Sequence, residues 1–156
     1  AVARGATRAL KIADFPFGFE GPALAAHAAA VRSMQAGARL GKLEKAQELY
    51  RRTARLDLDN INNDTCDGLH ITSMAGSWLS IVQGFAGMRT LTGSLSFDPQ
   101  LPDGWDGYAF KIVYRGRLIE VSVSREGTGL KLLSGEALTV MLHGHEVRLA
   151  PTEADA

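Results

Sequence analysis

Disulfides are the first thing this sequence lacks. Its 156 residues hold a single cysteine, Cys66, so no internal bridge can staple the chain. A lone thiol suits a reducing compartment, and the expected address is cytoplasmic. Charge of one sign is missing too: 17 basic residues stand against 17 acidic ones and the formal net charge is zero. Without a basic excess there is no bulk electrostatic attraction to nucleic acid or to an anionic membrane, and neither is expected as a partner. No run approaches the roughly 20 consecutive apolar residues of a membrane span, and the segment from Ala1 to Lys11 lacks the unbroken apolar stretch of a secretory signal. The short catalytic fingerprints are absent as well, with no Gly-x-Ser-x-Gly elbow, no Gly-Lys phosphate loop and no dinucleotide-binding glycine pattern.

What is there is an ordinary soluble composition, 46% hydrophobic and 22% charged, that changes character in the middle. From Pro22 to about Leu56 the chain is rich in Ala, Leu, Arg, Lys, Glu and Gln, with Gly41 as a natural break, which predicts two helices paired as a hairpin. In the second, Leu43, Ala46, Leu49, Tyr50, Thr53 and Ala54 recur at helical spacing. A third helix is expected over Ile71 to Val82, where Ile71, Met74, Ala75, Trp78, Leu79 and Val82 form a stripe read as core-facing. Ser73, Gly76, Ser77 and Ser80 lie on the remaining surface and are all small, which permits close approach by another backbone or a ligand, with packing of the later serines against a neighbouring helix the plainer reading. Beyond Gly84 the pattern turns to short strands punctuated by glycine. Ile112 to Tyr114 and Leu118 to Val123 are read as strands joined at Arg115-Gly116-Arg117, with further strands over Leu130–Leu133, Leu138–Leu142 and Glu146–Leu149. The fold class expected is α+β, helices followed by a small antiparallel β-sandwich, with residues 1–86 helical and residues 87–156 forming the sandwich. Residues 1–20 fit no element, and the tail from Pro151 is expected to fray.

The run from Asp57 to Trp78 concentrates the chemistry. It crowds turn-forming Asp and Asn, Gly68, His70 and the hydroxyls of Thr72 and Ser73 against the start of the third helix, where unpaired backbone N–H groups and the positive end of the dipole favour an anion. Residue chemistry alone leaves two readings of His70 open: an anion ligand beside free helix N–H groups, or a loop histidine bonded to a carbonyl. The cluster from Asp57 to Asp67 lacks the sixth-position glycine and closing glutamate of a calcium loop, so Asx turns and helix caps account for it better. His143-Gly144-His145 offers two nitrogens to a metal but stands in a turn without a carboxylate or thiol cluster, and no metal is expected. Cys66 lies near Asp64 and Asp67, which disfavours a thiolate. Trp105 and Tyr108 are either a sugar-stacking platform or ordinary sandwich packing.

Asp67-Gly68-Leu69-His70-Ile71 with Met74-Ala75-Gly76-Ser77-Trp78 resembles, nearly residue for residue, the stretch around the phosphate-binding histidine of the disaccharide phosphorylases that act on maltose, kojibiose and trehalose. The likeness begins near Leu40-Gly41-Lys42, runs through Arg55-Leu56-Asp57-Leu58, and is densest from Asn60 to Arg89. It continues through Leu95 to Pro102 and Trp105 to Tyr114-Arg115-Gly116-Arg117-Leu118, about three quarters of the chain. This resemblance implies the terminal helices of an (α/α)6 barrel followed by a small β-sandwich. It implies an inverting phosphorolysis in which inorganic phosphate is co-substrate and no cofactor is needed. His70 falls on the phosphate-contacting histidine, with Thr72, Ser73 and Gly76 as phosphate-site candidates by adjacency. A homodimer is among the assemblies it implies.

The chain departs from that pattern in two respects. It is far shorter than a complete phosphorylase, and Gly21-Pro22-Ala23-Leu24 stands where related chains carry a serine-rich turn. None of its glutamates lies in the motif of the family's general acid, so no catalytic residue is expected in this chain. The expectation is the C-terminal portion of a maltose phosphorylase-like enzyme, inactive by itself, with kojibiose, trehalose or nigerose as alternative substrates. A non-catalytic carbohydrate- or protein-binding sandwich module, and a hydrolase using water, are the rival readings.

Overall fold

A computed structural model describes residues 36–37, 40–60, 63, 65–90 and 93–151. Most of the first expected helix, the segment 1–20 and the tail beyond Pro151 lie outside these residues. The second expected helix is α1, Leu43–Ala54. Its composition of strong helix formers is matched by charge at the ends, with Glu44 in the first turn and Arg51 and Arg52 in the last, each opposing the local end of the dipole. The stripe read from the spacing turns inward: Ala46 and Thr53 are buried and Leu43, Leu49, Tyr50 and Ala54 are half-buried. Gln47 is buried beside them and its amide donates to the Asp103 carbonyl at 3.1 Å, tying α1 to a loop of the sandwich.

Helix α2 spans Ile71–Leu79, and the chain then widens into a π-helical segment, Ser80–Phe85. The expected helix was therefore placed correctly at its start, but regular α geometry stops at Leu79. The orientation expected for its apolar stripe is reversed. Ile71, Met74 and Trp78 are 64%, 48% and 49% exposed, while Ser73, Gly76 and Ser80 are buried. The small side chains of α2 are the ones turned inward, a face that admits close approach of another backbone, and the large apolar ones are left outside. Ala75 and Leu79 of the stripe are half-buried, and Val82 is buried outright. The wider π turn carries it, fully buried, into the core of the sandwich.

The second half forms two three-stranded sheets. One contains β2 (Gly107–Tyr114), β3 (Arg117–Ser124) and β4 (Gly127–Ser134) in sequence order; the other contains β1 (Ser96–Phe97), β5 (Leu138–Leu142) and β6 (His145–Leu149). All pairings are antiparallel except that of β1 with β5. The β2–β3 connection is tighter than expected, because Arg117 already pairs with Tyr114 and only Arg115 and Gly116 turn. Both have positive φ, 49° and 77°, the two-residue turn whose twist matches a hairpin. Between the sheets lie Leu95, Phe97, Ile119, Val121, Leu132, Val140 and Leu149, all at most 5% exposed. Burial of each such side chain contributes about 1.5–3 kcal/mol.

Helices and sandwich meet through an aromatic cluster. Trp105 stands 5.4 Å from Tyr50 of α1, 5.3 Å from Phe85 of the π segment and 6.1 Å from Tyr108 of β2, centroid to centroid. Beside it the backbone pairs directly, with Asp98 N–H donating to the Ala86 carbonyl and Gln100 N–H to that of Phe85. This junction sets where the start of α2 sits relative to the sandwich.

Candidate functional site

The site is built by the loop between α1 and α2. After α1 the chain coils through Arg55–Asn60, where Asp59 N–H donates to the Arg55 carbonyl and the Arg55 guanidinium grips the Asp59 carboxylate through two bonds of 2.7 and 2.6 Å. Leu56, 5% exposed, anchors the turn inward. Asn60 (φ 46°) and Asn63 (φ 56°) then take left-handed conformations that asparagine tolerates. The Asn60 side-chain oxygen accepts from the Thr65 amide at 3.1 Å and the Thr65 hydroxyl at 2.7 Å. These are Asx interactions of the kind expected from the cluster, and they spend the Asn60 oxygen on the loop itself. Among the described residues no group of three or more His, Cys, Asp or Glu is placed to share a metal ion.

The loop delivers His70 to the N-cap of α2, and Asp57 receives it there. One Asp57 oxygen accepts the His70 backbone N–H at 2.9 Å; the other meets ring Nδ1 at 2.5 Å. The carboxylate is 11% exposed and the imidazole 25%, so the contact is shielded but the ring is not sealed from solvent. Because a carboxylate only accepts, Nδ1 must carry the proton. Nε2 is then the nitrogen that gains or loses a proton when the ring changes charge.

Backbone donors are only partly used in the first turn of α2. Ile71 N–H donates to the Leu69 carbonyl and Ser73 N–H to that of His70, whereas the Thr72 N–H has no acceptor among the described residues. Thr72 is half-buried beside it. Ser73 is 2% exposed and its hydroxyl has no hydrogen-bond partner, the one such buried side-chain atom among the described residues. Gly76 lies a turn deeper, and its carbonyl accepts from the Ser80 hydroxyl at 2.7 Å. His70, Thr72 and Ser73 are thus gathered at the helix start, with Gly76 set back from it.

The other candidates lie elsewhere. Trp105 and Tyr108 are committed to the aromatic junction, and the Tyr108 hydroxyl donates to the Gln100 carbonyl at 3.0 Å. His143 Nδ1 meets Asp98 at 2.9 Å across an exposed cleft of about 550 Å³ that Gly84, Gly87 and Arg89 also line, while His145 opens β6. Asp57 is the residue that sequence reasoning passed over as one member of a turn-forming cluster.

Two family models match this chain. Residues 24–79 match the glycosyl hydrolase family 65 central catalytic domain, and residues 88–149 match the C-terminal domain of the same family. The chain belongs to glycosyl hydrolase family 65. Among family 65 relatives, it is 57% identical over 120 residues to the maltose phosphorylase of Bacillus subtilis strain 168, covering 72% of this chain and 16% of that protein. It is 48% identical to the alpha,alpha-trehalose phosphorylase of Geobacillus stearothermophilus, over 74% of this chain and 15% of the relative. A kojibiose phosphorylase of Thermoanaerobacter brockii is 33% identical over 72% and 15% respectively. A solved structure described as a candidate kojibiose phosphorylase from human microbiome superposes with a TM-score of 0.74 at 29% identity, covering 78% of this chain and 17% of that one. The α+β order, helices followed by a sandwich, is the one expected for the family. The chain spans about one sixth of the length of the relatives it matches.

Proposed function

We propose that this chain is the C-terminal portion of an inverting disaccharide phosphorylase and that the start of α2 forms part of its phosphate subsite. In this reading residues 1–86 complete the catalytic (α/α)6 barrel and residues 87–156 form the sandwich domain that buttresses it. His70, Thr72, Ser73 and Gly76 are the phosphate-side residues, and no catalytic residue resides in this chain. Maltose is the preferred substrate, because identity is 57% to the maltose enzyme against 48% and 33% to the trehalose and kojibiose enzymes. Phosphate is the co-substrate and no cofactor takes part.

The chemistry asks little of this segment beyond positioning. A phosphate oxygen attacks the anomeric carbon from the face opposite the leaving sugar, the glycosidic C–O bond breaks, and a carboxylic acid elsewhere in the protein protonates the departing oxygen. The products are β-glucose 1-phosphate and free glucose. Phosphate is already a nucleophile, so the base that an inverting hydrolase needs to activate water is dispensable. What the site must do is hold a dianion in line, which a helix start and an imidazole do well.

The single observation carrying this reading is the His70 arrangement: an imidazole at the N-cap of α2, clamped through its Nδ1 and its amide by Asp57, beside a Thr72 N–H with no acceptor among the described residues. The exposed stripe of Ile71, Met74 and Trp78 favours a helix covered by the rest of a larger barrel over a free-standing sandwich module. The test is steady-state phosphorolysis by the full-length protein with maltose, trehalose and kojibiose. His70→Ala is expected to raise the phosphate KM at least ten-fold, as loss of a hydrogen bond to a charged group does. An unchanged phosphate KM and kcat in that variant would remove His70 from the site, and turnover independent of phosphate would make the protein a hydrolase.

A further inference from the structure

We infer that Asp57 is a positioning residue of the phosphate subsite, fixing the tautomer and orientation of His70; this deepens the proposed function and rests on it. Three observations point the same way. The carboxylate uses one oxygen for the His70 ring and the other for the His70 amide, at 2.5 and 2.9 Å, so the ring is fixed relative to its own backbone. The contact is shielded, with Asp57 11% and His70 25% exposed, which separates it from the ordinary surface pair of His143 and Asp98 at 49% and 75%. The loop between the two residues is held by its own Asn60 network, so the clamp joins two shaped segments, the coil after α1 and the start of α2.

The consequence for phosphate follows from donor and acceptor counting. With a carboxylate on Nδ1, that nitrogen stays protonated whether the ring is neutral or charged. Nε2–H of an imidazolium donates to phosphate and adds a full positive charge at the helix start. The substitution Asp57→Asn reverses this. The His70 amide is always a donor, so the oxygen of the introduced carboxamide must serve it, which turns the carboxamide NH2 toward the ring. Nδ1 then becomes an acceptor and the ring is held neutral with its proton on Nε2. The hydrogen bond to phosphate survives while the charge is lost.

The test is a double-mutant cycle in the full-length enzyme combined with the ¹⁵N spectrum of His70. Asp57→Asn is expected to raise the phosphate KM about ten-fold, leave the disaccharide KM within two-fold, and convert Nδ1 from a protonated to an unprotonated resonance. In the His70→Ala background the same substitution is expected to have no further effect on phosphate KM, because its action passes through the ring. If Asp57→Asn impairs His70→Ala as much as it impairs the wild type, or leaves phosphate KM unchanged while His70→Ala raises it, the positioning role is overturned and the phosphate site stands. If His70→Ala itself leaves phosphate KM unchanged, the site reading fails first. Should Asp57→Asn fail to fold, the wild-type spectrum decides: protonated Nδ1 supports the clamp, and unprotonated Nδ1 overturns it.

Discussion

Gly87→Ala is expected to loosen the junction between helices and sandwich, and the structure separates the two causes of the damage. Gly87 has φ +61°, a left-handed conformation that costs a residue with a Cβ about 1–2 kcal/mol. A Cβ there would also lie 2.6 Å from the Asp98 carbonyl oxygen and 3.0 Å from the Asp98 carbonyl carbon and nitrogen. Those atoms are backbone and cannot swing away: Asp98 N–H is bonded to the Ala86 carbonyl, and the neighbouring strand pairing at Arg89 and Ser96 holds the segment. Overpacking against such a wall adds about 1–3 kcal/mol. Gly104 is the control, because its φ of +76° imposes the same conformational cost with nothing within 4 Å of its Cβ position. In urea unfolding, with a slope of about 1–3 kcal/mol per molar, Gly87→Ala should fall about 0.3–3 M below Gly104→Ala in midpoint. Equal midpoints for the two variants would refute the steric argument.

Three further outcomes follow from the same packing. Trp105→Ala removes contacts to Tyr50, Phe85 and Tyr108 and should cost about 2–4 kcal/mol in urea unfolding, with the loss of near-ultraviolet dichroism from the junction; a change below about 0.5 kcal/mol would show that the halves are held by backbone pairing instead. Burial pushes the Tyr108 phenol above its ordinary range, so the folded state favours the neutral form. The stability this gives is complete below about pH 10, the unfolded value, and is lost as pH climbs toward the folded one, so Tyr108→Phe should flatten the alkaline decline of the unfolding midpoint. Met74→Lys with Trp78→Lys should suppress self-association of this chain in light scattering, since both residues lie on the exposed apolar stripe; undiminished association would place the adhesive surface elsewhere.

Much of the fold was legible because the relevant interactions are local. Alternation and a Gly-containing turn suffice to place β3 and the last residues of β2, Ile112–Tyr114, but not the start of β2 at Gly107 or the two-residue turn that fixes the register. The start of α2 was legible for a similar reason: a change of period after a cluster of Asp, Asn and Gly marks a helix boundary whatever the rest of the molecule does. Two further features were not legible, and both depend on partners distant in sequence. Period and residue size told which residues of α2 share a face and that the small ones admit a neighbouring backbone, but not that the large apolar residues of the other face would stand exposed. Ser73, Gly76 and Ser80 are buried, while Ile71, Met74 and Trp78 stay outside. Asp57 stands 13 positions before His70, and only the path of the loop, set by Asn60 and its bonds to Thr65, brings them together. The available signal was an aspartate just past a helix end and a histidine just before the next helix start, too common a pattern to single out a pair.

Isothermal titration of inorganic phosphate into the full-length protein, wild type beside His70→Ala, reaches the claim on which everything else rests. Saturable binding by the wild type, weakened at least ten-fold in the variant, is the result expected if the start of α2 holds the phosphate that attacks the disaccharide. Equal affinities in the two proteins would contradict it and place the phosphate subsite away from His70.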